Sequence, residues 1–194
     1  MKFDTNQKPE LGAAKKDVRY YLNGCAVFET VPHHNGPAIV STDDHMLTVI
    51  PCELEPEDIH HARGTTDPAI ITHETIAEAR KATRGAIDKG SVVIGLRGNE
   101  GTKGRAVVEH RSGRVVADDL IDGRFPDAAR VIPADMPAVS FAVNAELLAR
   151  AQKALGSEYI NVHVRPEKPE APLLITPYDS PLGGYAVVMP VRID

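Results

Sequence analysis

"SFAVNAELLARAQKAL", residues 140–155, changes character halfway along. Residues 139–143 read as a strand. Asn144 is a good helix N-cap, and Leu147, Leu148, Ala151, Ala154 and Leu155 then recur at helical spacing. Gly156 supplies the stop. Strand-like runs follow at 159–165, 173–177 and 185–192. Earlier in the chain the same order occurs. Residues 69–72 read as a strand, and Thr72 caps a helix that runs to Gly90, with Ile76, Ala79, Ala82, Thr83, Ala86 and Ile87 on one face. Strands are expected at 91–96, 105–110 and 114–119, the last two joined by a Ser112-Gly113 turn. A β-α-β-β-β unit therefore occurs twice, at 69–119 and 139–192, which marks an internal repeat.

Residues 17–51 look like the three trailing strands of a further copy, at 19–29, 38–41 and 45–51. Asn23-Gly24 inside the first is either a hairpin signal or a bulge. Residues 1–16 are polar and lysine-rich, with a short helix expected over 9–16, and residues 53–68 read as an exposed acidic connector. The fold class is α+β, with antiparallel sheets and two main helices packed on one side.

Composition sets the outer limits. The 194 residues carry 42% hydrophobic and 25% charged side chains and a net charge of −5, ordinary for a globular protein with its own core. A chain of this charge is no general magnet for nucleic acid, so any DNA contact needs a local basic surface. Cys25 and Cys52 stand in no CxxC arrangement and read as free thiols in a reducing compartment. The first ten residues hold no apolar core of a signal peptide. No apolar run approaches the roughly 20 residues that span a membrane. A cytoplasmic location is expected.

Five segments carry a resemblance: "DVRYYLNG" (17–24), "STDDHMLTV" (41–49), "IDGRFPDAARVIP" (121–133), "SFAVNAELLARAQKAL" (140–155) and "YAVVMPVRI" (185–193). In this order they resemble the bacterial replicative sliding clamp, the beta subunit of DNA polymerase III. The family's chains have three similar domains, each of two β-α-β-β-β halves. This chain resembles the middle domain without its opening strand and helix (1–136), joined to the final half of the last domain (137–194), the two packing as one clamp-like unit.

The resemblance implies a pocket that takes short apolar peptides of partner proteins. The matching positions are Leu22, Thr42, His45, Leu47, Pro126, Arg130, Val131, Val187, Met189, Pro190 and Arg192. Leucine, valine, methionine and proline suit an apolar slot, and methionine adapts to varied side chains. The competing reading is that these are core and loop residues. Two positions depart from the family: Asp44 stands where glycine is favoured and Met46 where arginine is favoured. Asp44 is expected to make acidic peptides poorer ligands.

The resemblance also implies helices that meet the phosphate backbone without reading sequence. Arg80, Lys81, Arg84 and Lys89 on the first helix, with Arg150 and Lys153 on the second, suit that role. Arg80, Lys81 and Arg84 fall beside the apolar face, so changing all three to glutamate is expected to leave the fold intact. The plainer reading is a solvated face, because Glu78, Asp88 and Glu146 dilute the charge.

Other clusters favour plain readings. His33-His34 and His60-His61 fall in loops with no converging third ligand. Asp43-Asp44-His45 has no nucleophile motif beside it. Gly98, Gly101 and Gly104 lack the strand-to-helix setting of a phosphate cradle. No enzyme, cofactor or metal is expected. The leading expectation is a self-assembling clamp-like replication accessory protein, with double-stranded DNA and a DNA polymerase or other clamp-binding proteins as partners. The alternative is a clamp-derived adaptor or decoy that binds the same peptides without encircling DNA, and a hydrolase on a borrowed scaffold ranks last.

Overall fold

The computed structural model of the chain describes residues 1–56, 58, 68–83, 91–97, 104–110, 112–135, 139–178 and 184–191. The polypeptide divides into two compact units, Met1–Ala134 and Asp135–Asp194. The first holds β1 (Lys2–Asp4), β2 (Gly24–Phe28), β3 (Ala38–Thr42), β4 (Leu47–Pro51), β5 (Ala69–Thr72), α1 (His73–Thr83), β6 (Ser91–Val93), β7 (Gly95–Arg97), β8 (Arg105–Glu109) and β9 (Val115–Asp119). The second holds α2 (Ala145–Leu155), β10 (Ile160–His163), β11 (Leu173–Pro177) and β12 (Ala186–Val188). All strand pairs are antiparallel, and the fold is α+β as the sequence implies.

The first unit is built on the sheet β4-β3-β2-β5. Its strands β2 and β3 are buried on both faces. Cys25, Val27, Ile39 and Ile71 pack with Ile76 and Ala79 of α1, with Val92, Ile94 and Leu96, and with Met1 and Phe3. Ala26, Ala38, Val40 and Ile70 face the other way and pack with Phe125 and Ala128. Strict alternation of the side chains sends neighbours to opposite cores. The Asn23-Gly24 pair proves to be neither hairpin nor bulge. Residues Tyr20–Asn23 form a 3-10 turn, and β2 starts at Gly24. A Cβ at Gly24 would lie 2.6 Å from Ile70 Cγ2 and 2.8 Å from the Ile71 carbonyl oxygen, so only glycine fits.

The amino-terminal residues are core rather than polar surface. Met1 and Phe3 are buried, and Phe3 lies opposite Val92 where β1 pairs with β6. The expected helix over 9–16 is reduced to a 3-10 turn at Pro9–Leu11. The acidic connector also departs from expectation at Asp58, which is buried. Its carboxylate accepts hydrogen bonds from the Met1 amine, from Leu96 N at 3.0 Å and from Glu55 N at 3.2 Å. Residues 59–67 of that connector lie outside the described residues.

Thr72 caps α1 by accepting a bond from Thr75 N at 3.1 Å. The part of the helix expected at 84–90 lies outside the described residues. The run 91–96 is not one strand. It divides at Ile94 into β6, paired with β1, and β7, paired with β8. Ile94 N bonds to the Met1 carbonyl at 2.9 Å, which turns the chain from one sheet to the next.

In the second unit, Asn144 Oδ1 accepts from Glu146 N at 2.9 Å and opens α2. Gly156 closes it at φ 66°, the left-handed conformation glycine adopts freely. Ala151, Leu173, Ile175 and Val188 form the buried centre, with Leu147, Leu148 and Leu155 packed on it. The strand expected at 139–143 is only a single bridge, Ala142 to Val191. The strand expected at 185–192 stops at Val188. Pro190 explains both, since it has no N–H to continue a ladder.

Asp58 gives a test of the core. Burial alone would raise its pKa. The Met1 ammonium and the Leu96 and Glu55 amides outweigh that and hold it below the ordinary carboxylate value. A depressed folded pKa gives stability that is present at neutral pH and lost as pH falls through the folded value. The urea midpoint of the wild type should therefore hold near neutral pH and drop as pH falls past the unfolded aspartate value of about 3.9. Asp58→Asn should be less stable at neutral pH and show a flatter profile.

Candidate functional site

The segment 121–133 packs its apolar residues inward. Ile121 N bonds to the Ile70 carbonyl at 2.8 Å. Phe125 is buried edge-to-face on Phe28, with ring centroids 6.0 Å apart. Asp127 Oδ1 accepts from Ala129 N at 3.1 Å and caps the 3-10 turn Ala128–Arg130. This turn leaves Pro126 half-buried and Arg130 and Val131 exposed. Leu47 and Val49 of β4 pack on the same cluster as Phe125, Ala128 and Ile132. The sheet thus brings Leu47 and this segment to one face.

The turn between β3 and β4 is fixed by its own side chains. Asp43 Oδ1 accepts from His45 N at 3.0 Å and Met46 N at 2.9 Å. The Met46 and His45 amides hold the Asp43 carboxyl below its ordinary range. Thr42 Oγ1 accepts from Asp44 N at 3.1 Å. Asp44 itself stands at φ 72°, a left-handed conformation that is uncommon outside glycine and best tolerated by Asn and Asp. That geometry accounts for the glycine favoured at this position in the resembling family. The Asp44 carboxylate takes an ion pair from Arg19, which also grips Asp17 with Nε at 3.1 Å and Nη2 at 3.0 Å. The Arg19 side chain in turn holds Asp17 below the usual carboxylate pKa.

Of the residues matched to a peptide pocket in this unit, Thr42, His45 and Leu47 gather around this turn, with Thr42 buried, His45 exposed and Leu47 half-buried. Leu22 is corrected: it is wholly buried and offers no surface to a ligand. It lies in the 3-10 turn that delivers the chain to β2, where an apolar residue must point inward. In the second unit Val187 and Met189 are exposed and Pro190 is half-buried, while Arg192 lies outside the described residues. Leu174, opposite Val187 in the register, is a further exposed apolar residue of the same sheet face. Leu174 and Arg19 are not among the residues singled out from sequence. Alternation along β11 signals the first, while no local pattern signals the second.

The helix cations separate sharply. Arg80 is corrected as a DNA-facing group. Its guanidinium is enclosed and donates to Glu10 Oε1 at 2.6 Å, with side-chain exposures of 14% and 10%. Lys81 is exposed, with Glu78 at 3.5 Å. Glu78 also meets His110 at 3.2 Å and Arg114 at 3.6 Å, tying α1 to the β8-β9 hairpin. Arg150 and Lys153 are exposed on α2, and Arg84 and Lys89 lie outside the described residues. Among the described residues no three His, Cys, Asp or Glu side chains converge to hold a metal ion. Burial, then the Glu10 charge, pushes the Cys25 thiol up to about 12, and burial does the same to Cys52. Neither is a nucleophile at neutral pH.

With this geometry in place, the chain can be set against known proteins. Over 127 residues, 66% of its length, it is 30% identical to the beta sliding clamp of Salmonella typhimurium. It is 32% identical over 124 residues to the beta sliding clamp of Haemophilus influenzae. The chain is similar to the bacterial beta sliding clamp. The fold agrees: the DnaN sliding clamp of Bartonella birtlesii superposes with a TM-score of 0.62 at 20% identity, over 100% of this chain and 51% of that one. The sliding clamp of Caulobacter crescentus gives 0.57 at 24% identity, over 98% of this chain and 50% of that one. The clamp-like chain therefore spans about half of these solved chains, and only 30% of the length of the Salmonella relative. No protein-family model matches it.

The enclosure of Arg80 overturns the expectation that it can be changed to glutamate without harm. Arg80→Glu sets a second carboxylate against Glu10 in a site that excludes water. Breaking such a pair costs about 3–5 kcal/mol, and the denaturation midpoint should fall accordingly. Lys81→Glu, on the exposed face, should leave the midpoint within about 0.5 kcal/mol of wild type.

Proposed function

We propose that this chain is a clamp-like, non-enzymatic accessory protein of DNA replication that acts in the cytoplasm. In this reading it self-assembles, lies along double-stranded DNA and tethers a polymerase or other partner through short apolar peptides. The observation that carries the reading is the joint similarity to beta sliding clamps in sequence over two thirds of the chain and in fold over nearly all of it. Strands that end their sheets without a further partner among the described residues, β9 in the first unit and β10 in the second, support self-assembly, since unpaired edges template further pairing. Thr42, His45, Leu47, Pro126, Arg130 and Val131 in one unit and Val187, Met189 and Pro190 in the other are the proposed peptide contacts. Lys81, Arg150 and Lys153 are the proposed DNA contacts.

A second reading, an adaptor that binds clamp-interacting peptides without encircling DNA, is favoured by one observation. Arg80 is committed to Glu10, and Glu78 lies beside Lys81, so the described part of α1 presents little free positive charge. Retention on nicked circular DNA separates the two. The clamp reading expects weak, sequence-independent retention that falls steeply with salt and disappears in Lys81→Glu/Arg150→Glu/Lys153→Glu. A wild-type chain that is never retained at low salt leaves only the adaptor.

The peptide and assembly parts have their own measurements. A peptide with two or three large apolar side chains should bind in the micromolar range, about −8 kcal/mol or weaker. Met189→Asp should abolish that binding, because a carboxylate buried against an apolar ligand loses its hydration. Sedimentation at tens of micromolar should show an oligomer for both proteins; a wild type that is only monomeric removes self-assembly from the reading.

A further inference from the structure

The geometry points to Asp44 as a charge-selectivity residue of the peptide site: it holds the Arg19 guanidinium that would otherwise meet an acidic group on a bound peptide. The inference rests on the peptide-binding reading above. Arg19 and Asp44 are far apart in sequence, and their ion pair ties the entrance of the 3-10 turn Tyr20–Asn23 to the turn between β3 and β4. The guanidinium is fully engaged on its two sides. Nε and Nη2 face Asp17, and Nη1 faces Asp44. Both Arg19 and Asp44 remain 46% exposed, so the pair is open to exchange with a ligand.

The surroundings hold exposed apolar side chains. Val18, Tyr20 and Met46 are exposed apolar residues adjoining the pair in sequence, and Leu47 continues from Met46 into the apolar cluster of the sheet face. Asp43 does not compete for Arg19, because its carboxylate accepts from the His45 and Met46 amides. Asp44 meets Arg19 from a residue in the left-handed conformation. A glycine there would keep the turn and free Nη1, while Nε and Nη2 stay on Asp17. The freed Nη1 can donate a charge-assisted hydrogen bond to a carboxylate on a ligand.

The measurement is fluorescence polarisation with two peptides that share three large apolar residues and differ only by one Glu or Gln. Four proteins are compared: wild type, Asp44→Asn, Arg19→Gln and the double variant. Asn also tolerates left-handed backbone, so the turn is kept. Asp44→Asn should tighten the Glu peptide by about three- to fivefold, the range an exposed ion pair supports, and leave the Gln peptide within about twofold. In the Arg19→Gln background the gain should vanish. A gain that persists without Arg19 is plain relief of repulsion and overturns the inference. So does an equal gain for both peptides, which is relief of backbone strain. If neither peptide binds any form, the peptide reading and the inference fall together; binding without a charge-specific gain overturns the inference alone. Asp44→Gly, free of steric penalty at this φ, repeats the comparison should Asp44→Asn fail to fold.

Discussion

The first unit depends on two strands that are buried on both faces. β2 and β3 hide nearly every side chain, and residues one apart belong to different cores. Each buried aliphatic residue contributes about 1.5–3 kcal/mol, so the five-residue strands "GCAVF" and "AIVST" anchor both layers at once. Three surface pieces of the unit hang from them. The turn at 43–46 is the exit of β3, the Arg19 turn is the entrance to β2, and the 121–132 segment closes the second face. A sheet with only one buried face would leave these three pieces unconnected.

The opposite face is closed from outside the repeat. Met1, Phe3 and Ala13 from the amino-terminal stretch join Ile76 and Ala79 of α1 in covering the sheet. That arrangement brings charge indoors. Asp58 and the Glu10–Arg80 pair are enclosed by the same packing, and each charge survives burial only because a partner is fixed against it. Consecutive residues on α1 therefore take opposite roles. Arg80 turns toward Glu10, and Lys81, about 100° further round the helix, stays in water.

The second unit has a thinner core, with four buried apolar side chains among the described residues. Its outer sheet face keeps Leu174 and Val187 exposed, and Met189 extends beyond β12. Apolar groups that a small unit leaves in water are the usual raw material of contact surfaces. In the first unit, Arg19, Asp43 and Asp44 gather around the turn between β3 and β4, where hydrogen bonds and ion pairs engage their charges.

Much of this was legible in the sequence because it is written in short-range rules. Thr72 and Asn144 start helices with their own side chains, Gly156 ends one in the left-handed region, and the repeat places the strands β5, β8, β9 and β11 within a residue or so. The five segments that resemble a sliding clamp are likewise local, and comparison with known clamps agrees with them. What the sequence could not decide depends on partners distant along the chain. Arg80 looks like a surface cation until Glu10, 70 residues away, is brought against it. Asp58 looks like part of an acidic connector until Leu96 and Met1 enclose it. Leu22 looks like a slot residue until the turn buries it, and Arg19 has no signal at all until Asp44 arrives. Periodicity and caps fix what a residue does to its own element; burial and charge pairing are fixed only when elements meet.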